Sequence, residues 1–270
     1  MSADTPESKV APESKRGSAA ADKVVTAAII VIGNEILSGR TQDANVAYIA
    51  TGLNQVGVTL REVRVIPDVE ATIVGTVNEL RAKFDYVFTT GGIGPTHDDI
   101  TSECIAKAFG VPWVVHPEAH KHFLNFYQPS ELNAARMRMA TTPEGATLVY
   151  NPVSRAPGFK MGNVYVFAGI PRVMQGMFDA VKGELKGGKP MLSRTVATSL
   201  PEGILAKDLG AIQSRYEDVE IGSYPIMRRG SFGVNLVLRG RDPAELGATV
   251  GELIAALTAA GIENVTEEEG

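Results

Sequence analysis

The segment Ala27-Ala28-Ile29-Ile30-Val31-Ile32 contains no polar residue. A strand with one face in water alternates apolar and polar side chains, so an unbroken apolar run predicts a strand buried on both faces, as in a parallel sheet. The run leads directly into the turn Gly33-Asn34-Glu35. Val46, Ile49 and Leu53 then recur at helical spacing before Gly57. The first sixty residues therefore contain a β-α unit.

The same alternation continues along the chain. The further predicted strands are 60–66, 86–89, 148–150 and 164–168. Helical spacing is found at 73–84, at 100–109 and after Pro171. Residues 118–140 are also helical in composition, but the segment 128–130 divides them into two predicted helices. Strands that alternate with helices form right-handed crossovers. The sequence thus predicts an α/β fold with a mostly parallel sheet covered on both sides.

Changes in composition divide the chain into segments. Residues 1–22 are rich in Ser, Ala, Pro, Glu and Lys and bury too little apolar surface to offset ordering entropy, so a disordered tail is expected there. Residues 23–186 form the predicted α/β domain, and the Gly-Gly-Lys-Pro segment 187–190 forms a linker. The β-α-β-β-α pattern of residues 191–264 predicts a smaller α+β domain.

Bulk properties exclude several functional classes. The formal charge is −5, which argues against a nucleic-acid partner. The Gly-x-x-Gly segment 230–233 resembles a nucleic-acid-binding loop in form, but it precedes a predicted strand and is interpreted as a turn. The sequence has no membrane-spanning apolar run and no apolar signal core. Its single cysteine, Cys104, excludes an intramolecular disulfide, and its position favours a core residue. A cytoplasmic protein is expected.

A glycine-rich loop follows the third predicted strand. It runs Thr89-Thr90-Gly91-Gly92-Ile93-Gly94-Pro95-Thr96-His97-Asp98-Asp99. Its three glycines would let backbone N–H groups approach an anion, which predicts a phosphate site. Adjacent carboxylates beside a phosphate site suit Mg²⁺, although Asp98 or Asp99 could instead cap the helix that follows. His97 is either a phosphate contact or an exposed residue without a role.

Two other loops carry candidate residues. Glu35 follows the first strand, where ligands bind in open parallel sheets, and Asp43 is either a site residue or a helix cap. Arg155 lies in a polar loop between predicted strands and is either an anion ligand or a solvated side chain.

Three segments together resemble a known family: the glycine loop through Thr101, the turn Gly33-Asn34-Glu35-Ile36-Leu37-Ser38-Gly39, and the loop 151–158. They are similar to the MoaB/Mog-type molybdopterin-binding domain, in the form found at the N-terminus of CinA, the competence/damage-inducible protein. The resemblance covers about residues 24–180 and is weaker beyond them. It implies a three-layer α/β/α fold and a homo-oligomer.

The resemblance also implies a ligand, a phosphorylated pterin or a nucleotide. Relatives in cofactor synthesis bind molybdopterin and transfer an adenylyl group to it, whereas the CinA branch resembles metal-dependent pyrophosphatases that act on ADP-ribose. A related domain accompanies eukaryotic FAD synthase. The Gly-Pro-Thr-x-Asp-Asp form here favours hydrolysis with Mg²⁺, Mn²⁺ or Co²⁺, and a non-catalytic binding module is the alternative. The resemblance does not include CinA's deamidase domain, so nicotinamide mononucleotide deamidation is not expected.

The implied site residues fall into two groups. Asp98, Asp99 and Glu35 are the expected catalytic residues, with Asp98 and Asp99 as metal ligands. The expected ligand-binding residues are Gly33, Asn34, Ser38, Asp43, Thr90, Gly91, Gly92, Gly94, Pro95, Thr96, Asn151, Arg155, Pro157 and Gly158.

Overall fold

The computed structural model describes residues 24–199, 202–228, 231–261 and 266–269. The predicted tail, residues 1–22, and part of the predicted 230–233 turn lie outside the described residues. The described strands are β1 (Val25–Ile32), β2 (Val58–Ile66), β3 (Tyr86–Thr90), β4 (Trp113–Val115), β5 (Thr141–Pro143), β6 (Thr147–Val149), β7 (Gly158–Met161), β8 (Val164–Phe167), β9 (Leu192–Thr198), β10 (Glu220–Arg228), β11 (Ser231–Gly240) and β12 (Thr266–Glu269).

Nine described α-helices alternate with these strands. They are α1 (Asn34–Leu37), α2 (Asn45–Gln55), α3 (Glu70–Lys83), α4 (Thr101–Phe109), α5 (Pro117–Leu124), α6 (Ala134–Arg138), α7 (Pro171–Lys182), α8 (Glu202–Gln213) and α9 (Pro243–Ala259). None of the helices in the described ranges is long and apolar enough to cross a membrane.

A six-stranded sheet in the order β2-β1-β3-β8-β7-β6 forms the first unit. The first four strands are parallel, and β7 and β6 extend the sheet antiparallel. On one face, Ile29 of β1 packs in a core with α2 and α7; on the other, Ile30 packs with α3 and α4. Both faces of β1 are buried, which explains its unbroken apolar run. The predicted three-layer α/β fold is confirmed.

The single cysteine is a core residue. Cys104 lies in α4 and is buried against α3, as the sequence predicts. Burial raises the pKa of its thiol to about 11. The thiolate needed for nucleophilic attack is therefore scarce at neutral pH.

A small insert follows α4. Strands β4 and β5 pair antiparallel, and the chain between them forms α5, a 3₁₀ turn at Pro129–Glu131 and α6. Ala119, Phe123 and Ala140 form its own small core. The sequence predicts the two helices but not the strand pair, because three-residue strands are too short to show alternation.

The second unit is an antiparallel sheet in the order β10-β11-β9-β12, with α8 and α9 packed on one face. Strand β12 pairs with β9 and lies beyond residue 264, where the second domain is predicted to end. Between the units, the amide of Gly188 donates to the carbonyl of Gly57 at 3.0 Å. The predicted linker segment is therefore held against the end of α2.

Candidate functional site

The carboxyl ends of the parallel strands β1, β2 and β3 lie at one edge of the sheet, and the loops that leave them are in contact. The backbone N–H of Gly33 donates to the carbonyl of Ile66 at 3.2 Å. The N–H of Asn34 donates to the Asp68 carboxylate at 3.0 Å. Ligands in open parallel sheets bind at this edge, and the cavities described below open there.

The glycine loop follows a path that only glycine permits at two positions. Gly91 and Gly92 have φ angles of 104° and 69°. A Cβ on Gly91 would lie 2.1 Å from the carbonyl oxygen of Ile32, and one on Gly92 would lie 2.1 Å from the Thr101 hydroxyl oxygen. The loop thus packs directly on the end of β1 and the start of α4.

The amides of this loop differ in their availability. Gly91 was expected to offer its N–H to a phosphate, but that N–H donates to the carbonyl of Phe167 at 3.1 Å and continues the sheet. The N–H groups of Gly92, Ile93 and Gly94 donate to no protein atom among the described residues. These three consecutive amides are the ones that remain free to hold an anion.

The two loop aspartates have different environments. Helix α4 begins at Thr101 without a side-chain cap, so neither aspartate caps it. Asp99 instead accepts hydrogen bonds from the N–H and the hydroxyl of Thr96, at 2.8 and 2.5 Å, and closes the loop on itself. The side chain of Asp98 is 65% exposed, and that of His97 is 98% exposed. Asp98 is therefore the more available carboxylate of the pair.

A third aspartate, Asp68, lies at the same edge, two residues after the end of β2, and the sequence analysis does not identify it. Burial raises the pKa of Asp68, the hydrogen bond from Asn34 opposes the rise, and the negative charges of Glu35 and Asp98 add to it. The carboxylates after β1, β2 and β3 therefore act on one another electrostatically. Among the described residues, no three His, Cys, Asp or Glu side chains form a ready metal cage.

The loop after β1 is held largely by contacts among its own residues. The Ser38 hydroxyl donates to the Glu35 carbonyl at 3.2 Å. A Cβ on Gly33 would lie 2.5 Å from the Glu35 carboxylate, so this glycine makes room for that side chain. Asp43 accepts from the N–H of Val46 at 2.9 Å, which favours the helix-cap interpretation for one of its oxygens.

A cavity of about 570 Å³ opens beside the glycine loop. Its polar wall includes Glu35, Asp99 and the backbone of the loop at Gly91, Gly92, Gly94 and Pro95. Its apolar wall includes Ile93, Met139, Ile170, Val173 and Met177. A polar end next to an apolar wall suits a phosphorylated molecule that carries a ring.

A recess of about 60 Å³ lies behind the loop and shares Glu35 and Gly91 with the larger cavity. Asn45 lines it, is 4% exposed and donates to the carbonyl of Gly169 at 2.9 Å. The Asn45 Oδ1 atom and the Thr90 hydroxyl have no partner among the described residues. Buried polar atoms without partners are costly, so this recess suits a water or a hydroxyl group of a ligand. The sequence indicates Thr90 but gives no signal for Asn45.

The loop after β6 presents Ser154 and Ala156 to the large cavity. Asn151 fixes this loop, because its side chain accepts from the N–H of Ser154 at 2.6 Å and donates to the carbonyl of Ala156 at 3.1 Å. Pro157 is buried, and a Cβ on Gly158 would lie 2.5 Å from the Val166 carbonyl. Asn151, Pro157 and Gly158, expected to contact the ligand, thus have evident roles in building the loop and sheet.

Arg138 connects the insert to the glycine loop, and the sequence analysis does not identify it. Its guanidinium donates to the carbonyl of Asp99 at 3.1 Å and lies 5.3 Å from the centre of the Trp113 ring. Its Nε atom is buried and has no partner among the described residues. Arg138 therefore fixes the end of the glycine loop from outside.

Replacing Arg138 with methionine should loosen the glycine loop. The hydrogen bond of a charged donor contributes about 1.5–3 kcal/mol, so hydrogen exchange at the Thr101 amide, which donates to Gly92 at 2.9 Å, should accelerate at least about tenfold. Arg136→Met is the matched control, because the Arg136 side chain contacts Glu131 and Tyr127, which both lie within the insert. Equal acceleration in both variants would contradict the assigned role.

Residues 28–187, more than half of the chain, match the family model described as "Probable molybdopterin binding domain". The chain belongs to this molybdopterin-binding family. Residues 190–266 match the model described as "FAD synthase, middle domain". All of the candidate site residues lie within the molybdopterin-binding match, and the family predicted from the three loops is confirmed.

The chain is also similar to individual proteins. A protein of Pyrobaculum calidifontis is 36% identical over 211 residues, covering 74% of this chain and 80% of that protein. The "Probable FAD synthase" of Caenorhabditis elegans is 30% identical over 254 residues, covering 84% of this chain and 49% of that protein. The solved structure of CinA from Thermoplasma acidophilum, described as of unknown function, has 32% identity and a TM-score of 0.56, covering 60% of this chain and 98% of that chain.

Proposed function

We propose that this molybdopterin-binding-family protein hydrolyses the diphosphate bond of an ADP-ribose-like dinucleotide and uses a divalent metal ion, Mg²⁺, Mn²⁺ or Co²⁺. The observation that carries the proposal is the row of free amides at Gly92, Ile93 and Gly94, three residues that line a cavity together with the carboxylates of Glu35 and Asp99. Oriented amides stabilise negative charge on phosphate oxygens. The nearby carboxylates can bind a metal ion and accept a proton, which hydrolysis needs in addition.

The donor set fits a metal that is bound together with the substrate. Asp98 is exposed, and Asp68 has one oxygen free of the hydrogen bond from Asn34. Magnesium-type ions use one or two carboxylates and take their other ligands from phosphates and waters. When bound, such an ion supplies positive charge against the diphosphate and activates water.

The protein's own residues have separate tasks in this proposal. The amides of Gly92 to Gly94 bind and orient the diphosphate. Asp99 holds Thr96 and keeps the loop in its open shape, so it acts as a positioning residue. Glu35 lines both the cavity and the recess, where the unpartnered oxygen of Asn45 can hold a water. That position suits Glu35 as the base that accepts a proton from the attacking water.

A second candidate is a non-catalytic pterin- or nucleotide-binding module, or a molybdopterin adenylyl transferase. The apolar wall formed by Met139, Val173 and Met177 favours it, since that wall suits a pterin ring as well as a nucleotide. A binding module predicts saturable binding without turnover under any metal.

The test follows AMP release from ADP-ribose, FAD and NADH with Mg²⁺, Mn²⁺ or Co²⁺. We expect metal-dependent AMP from one substrate, lost by at least about 100-fold in Asp98→Ala. Asp99→Ala should also lower turnover, through the loop. Asp208→Ala, which removes an exposed carboxylate from α8, is the matched control. AMP from none of the substrates would overturn hydrolysis, and titration with molybdopterin would then decide between the binding functions.

A further inference from the structure

An arginine side chain lies over an aromatic ring, in a loop whose neighbouring residues line the cavity. The guanidinium carbon of Arg155 is 3.4 Å from the centre of the Phe126 ring. Arg155 is exposed and, within the described part of the chain, donates no hydrogen bond and forms no ion pair. Phe126 is itself 52% exposed. This Arg155–Phe126 pair places a planar cation on the surface with all of its N–H donors available.

Both members of the pair are held in place. The loop that carries Arg155 is fixed by Asn151, which bonds to residues on either side of it. Phe126 donates its N–H to the carbonyl of Phe123 at 3.0 Å and contacts the ring of Tyr127 edge to face at 5.9 Å. The stack is therefore built by two separate segments, the insert and the loop after β6.

The pair is next to the proposed ligand cavity. Ser154 and Ala156, the neighbours of Arg155 in sequence, both line it, and Met139 of the insert lines it as well. The free amides at Gly92 to Gly94 already provide a place for the phosphates. Arg155 is thus available for a different part of the ligand.

The close contact of the guanidinium carbon with the Phe126 ring, 3.4 Å from its centre, indicates which part. Arginine stacks between aromatic planes, where cation–π attraction and planar contact add together. Nucleobases stack on such platforms whatever their sequence, because every base has a π-face. We propose that Arg155 and Phe126 form the platform on which the adenine ring of the nucleotide stacks. This inference rests on the proposed function only in taking the ligand to be a nucleotide.

The test compares two ligands that share a diphosphate: ADP, which has a base, and inorganic pyrophosphate, which has none. Arg155→Lys keeps the charge but removes the plane, so calorimetry should show about 5- to 10-fold weaker ADP binding and pyrophosphate binding within about twofold of wild type. Phe126→Leu should show the same selectivity. Arg136→Lys is the control, because Arg136 lies over Tyr127 inside the insert.

The remaining outcomes are equally decisive. Equal weakening of both ligands would show that the Arg155 guanidinium donates hydrogen bonds to the phosphates instead of stacking on the base. Unchanged ADP binding would show that Arg155 does not contact the ligand. Either result overturns the platform. A wild-type protein that binds neither ligand would overturn it too. Selective ADP weakening in a protein that releases no AMP from ADP-ribose would retain the platform and reject hydrolysis.

Discussion

Replacing Gly91 with alanine should cost about 3–5 kcal/mol of folding free energy and abolish ligand binding. Two effects add. A φ of 104° is strained for any residue with a Cβ, and the new methyl group would lie 2.1 Å from the Ile32 carbonyl oxygen. That oxygen belongs to the backbone of β1, so relief requires β1 and β3 to separate and the free amides of Gly92 to Gly94 to move.

Gly110→Ala separates the two effects. Gly110 ends α4 with a φ of 67°, but a Cβ there meets nothing within 4 Å. Gly110→Ala should lower the folding free energy only by the penalty for a left-handed backbone, about 1–2 kcal/mol, and leave ligand binding unchanged. Urea unfolding followed by the emission of Trp113, with ADP binding in parallel, measures both. If the two variants lose the same stability, the close approach of Gly91 to β1 is not rigid.

The fold could be predicted largely from local patterns. The unbroken apolar run of β1 and the helical spacing of α2 each reflect burial of an element in a known layer, so the sequence carries the signal residue by residue. The β4–β5 pair carries no such signal, because it joins three-residue strands separated by the whole insert. The position of Arg138 beside Trp113 depends on that pairing, so the sequence does not predict it either.

The sequence indicates which loops form the candidate site, but it does not indicate the contacts within them. The sequence predicts the glycine loop as a phosphate site, but residue spacing does not show which of its N–H groups already donate to other protein atoms. The N–H of Gly91 donates to the carbonyl of Phe167 in the sheet. Asp99 is likewise engaged by Thr96 rather than free or capping α4. Asp68 was within reach of prediction, because it follows a strand parallel to β1 and β3 and therefore had to lie at the same edge.

Asp68→Asn should stabilise the protein while removing its proposed activity. Burial and the charges of Glu35 and Asp98 raise the pKa of Asp68, so its carboxyl holds a proton more tightly in the folded protein than in the unfolded chain. As pH rises from the usual carboxyl range through the raised folded value, ionisation of Asp68 therefore destabilises the fold, and the cost persists at pH 7. Asparagine carries no charge and can still accept the hydrogen bond from Asn34.

The measurement is a pair of melting curves across pH together with turnover. Asp68→Asn should raise Tm above wild type at pH 7. The difference should shrink as the pH falls and vanish well below the ordinary Asp pKa of about 3.9, where the wild-type carboxyl is neutral in both states. Turnover should fall about 100-fold, because the negative charge that would hold a divalent ion beside the diphosphate is gone. Asp218→Asn, at an exposed carboxyl outside the site, should change neither. A lower Tm at pH 7 would contradict the prediction, because it would mean that the negative charge of Asp68 stabilises the fold, for example by strengthening the hydrogen bond from Asn34. Higher stability with lost turnover would show that the repulsion among these carboxylates is retained for function.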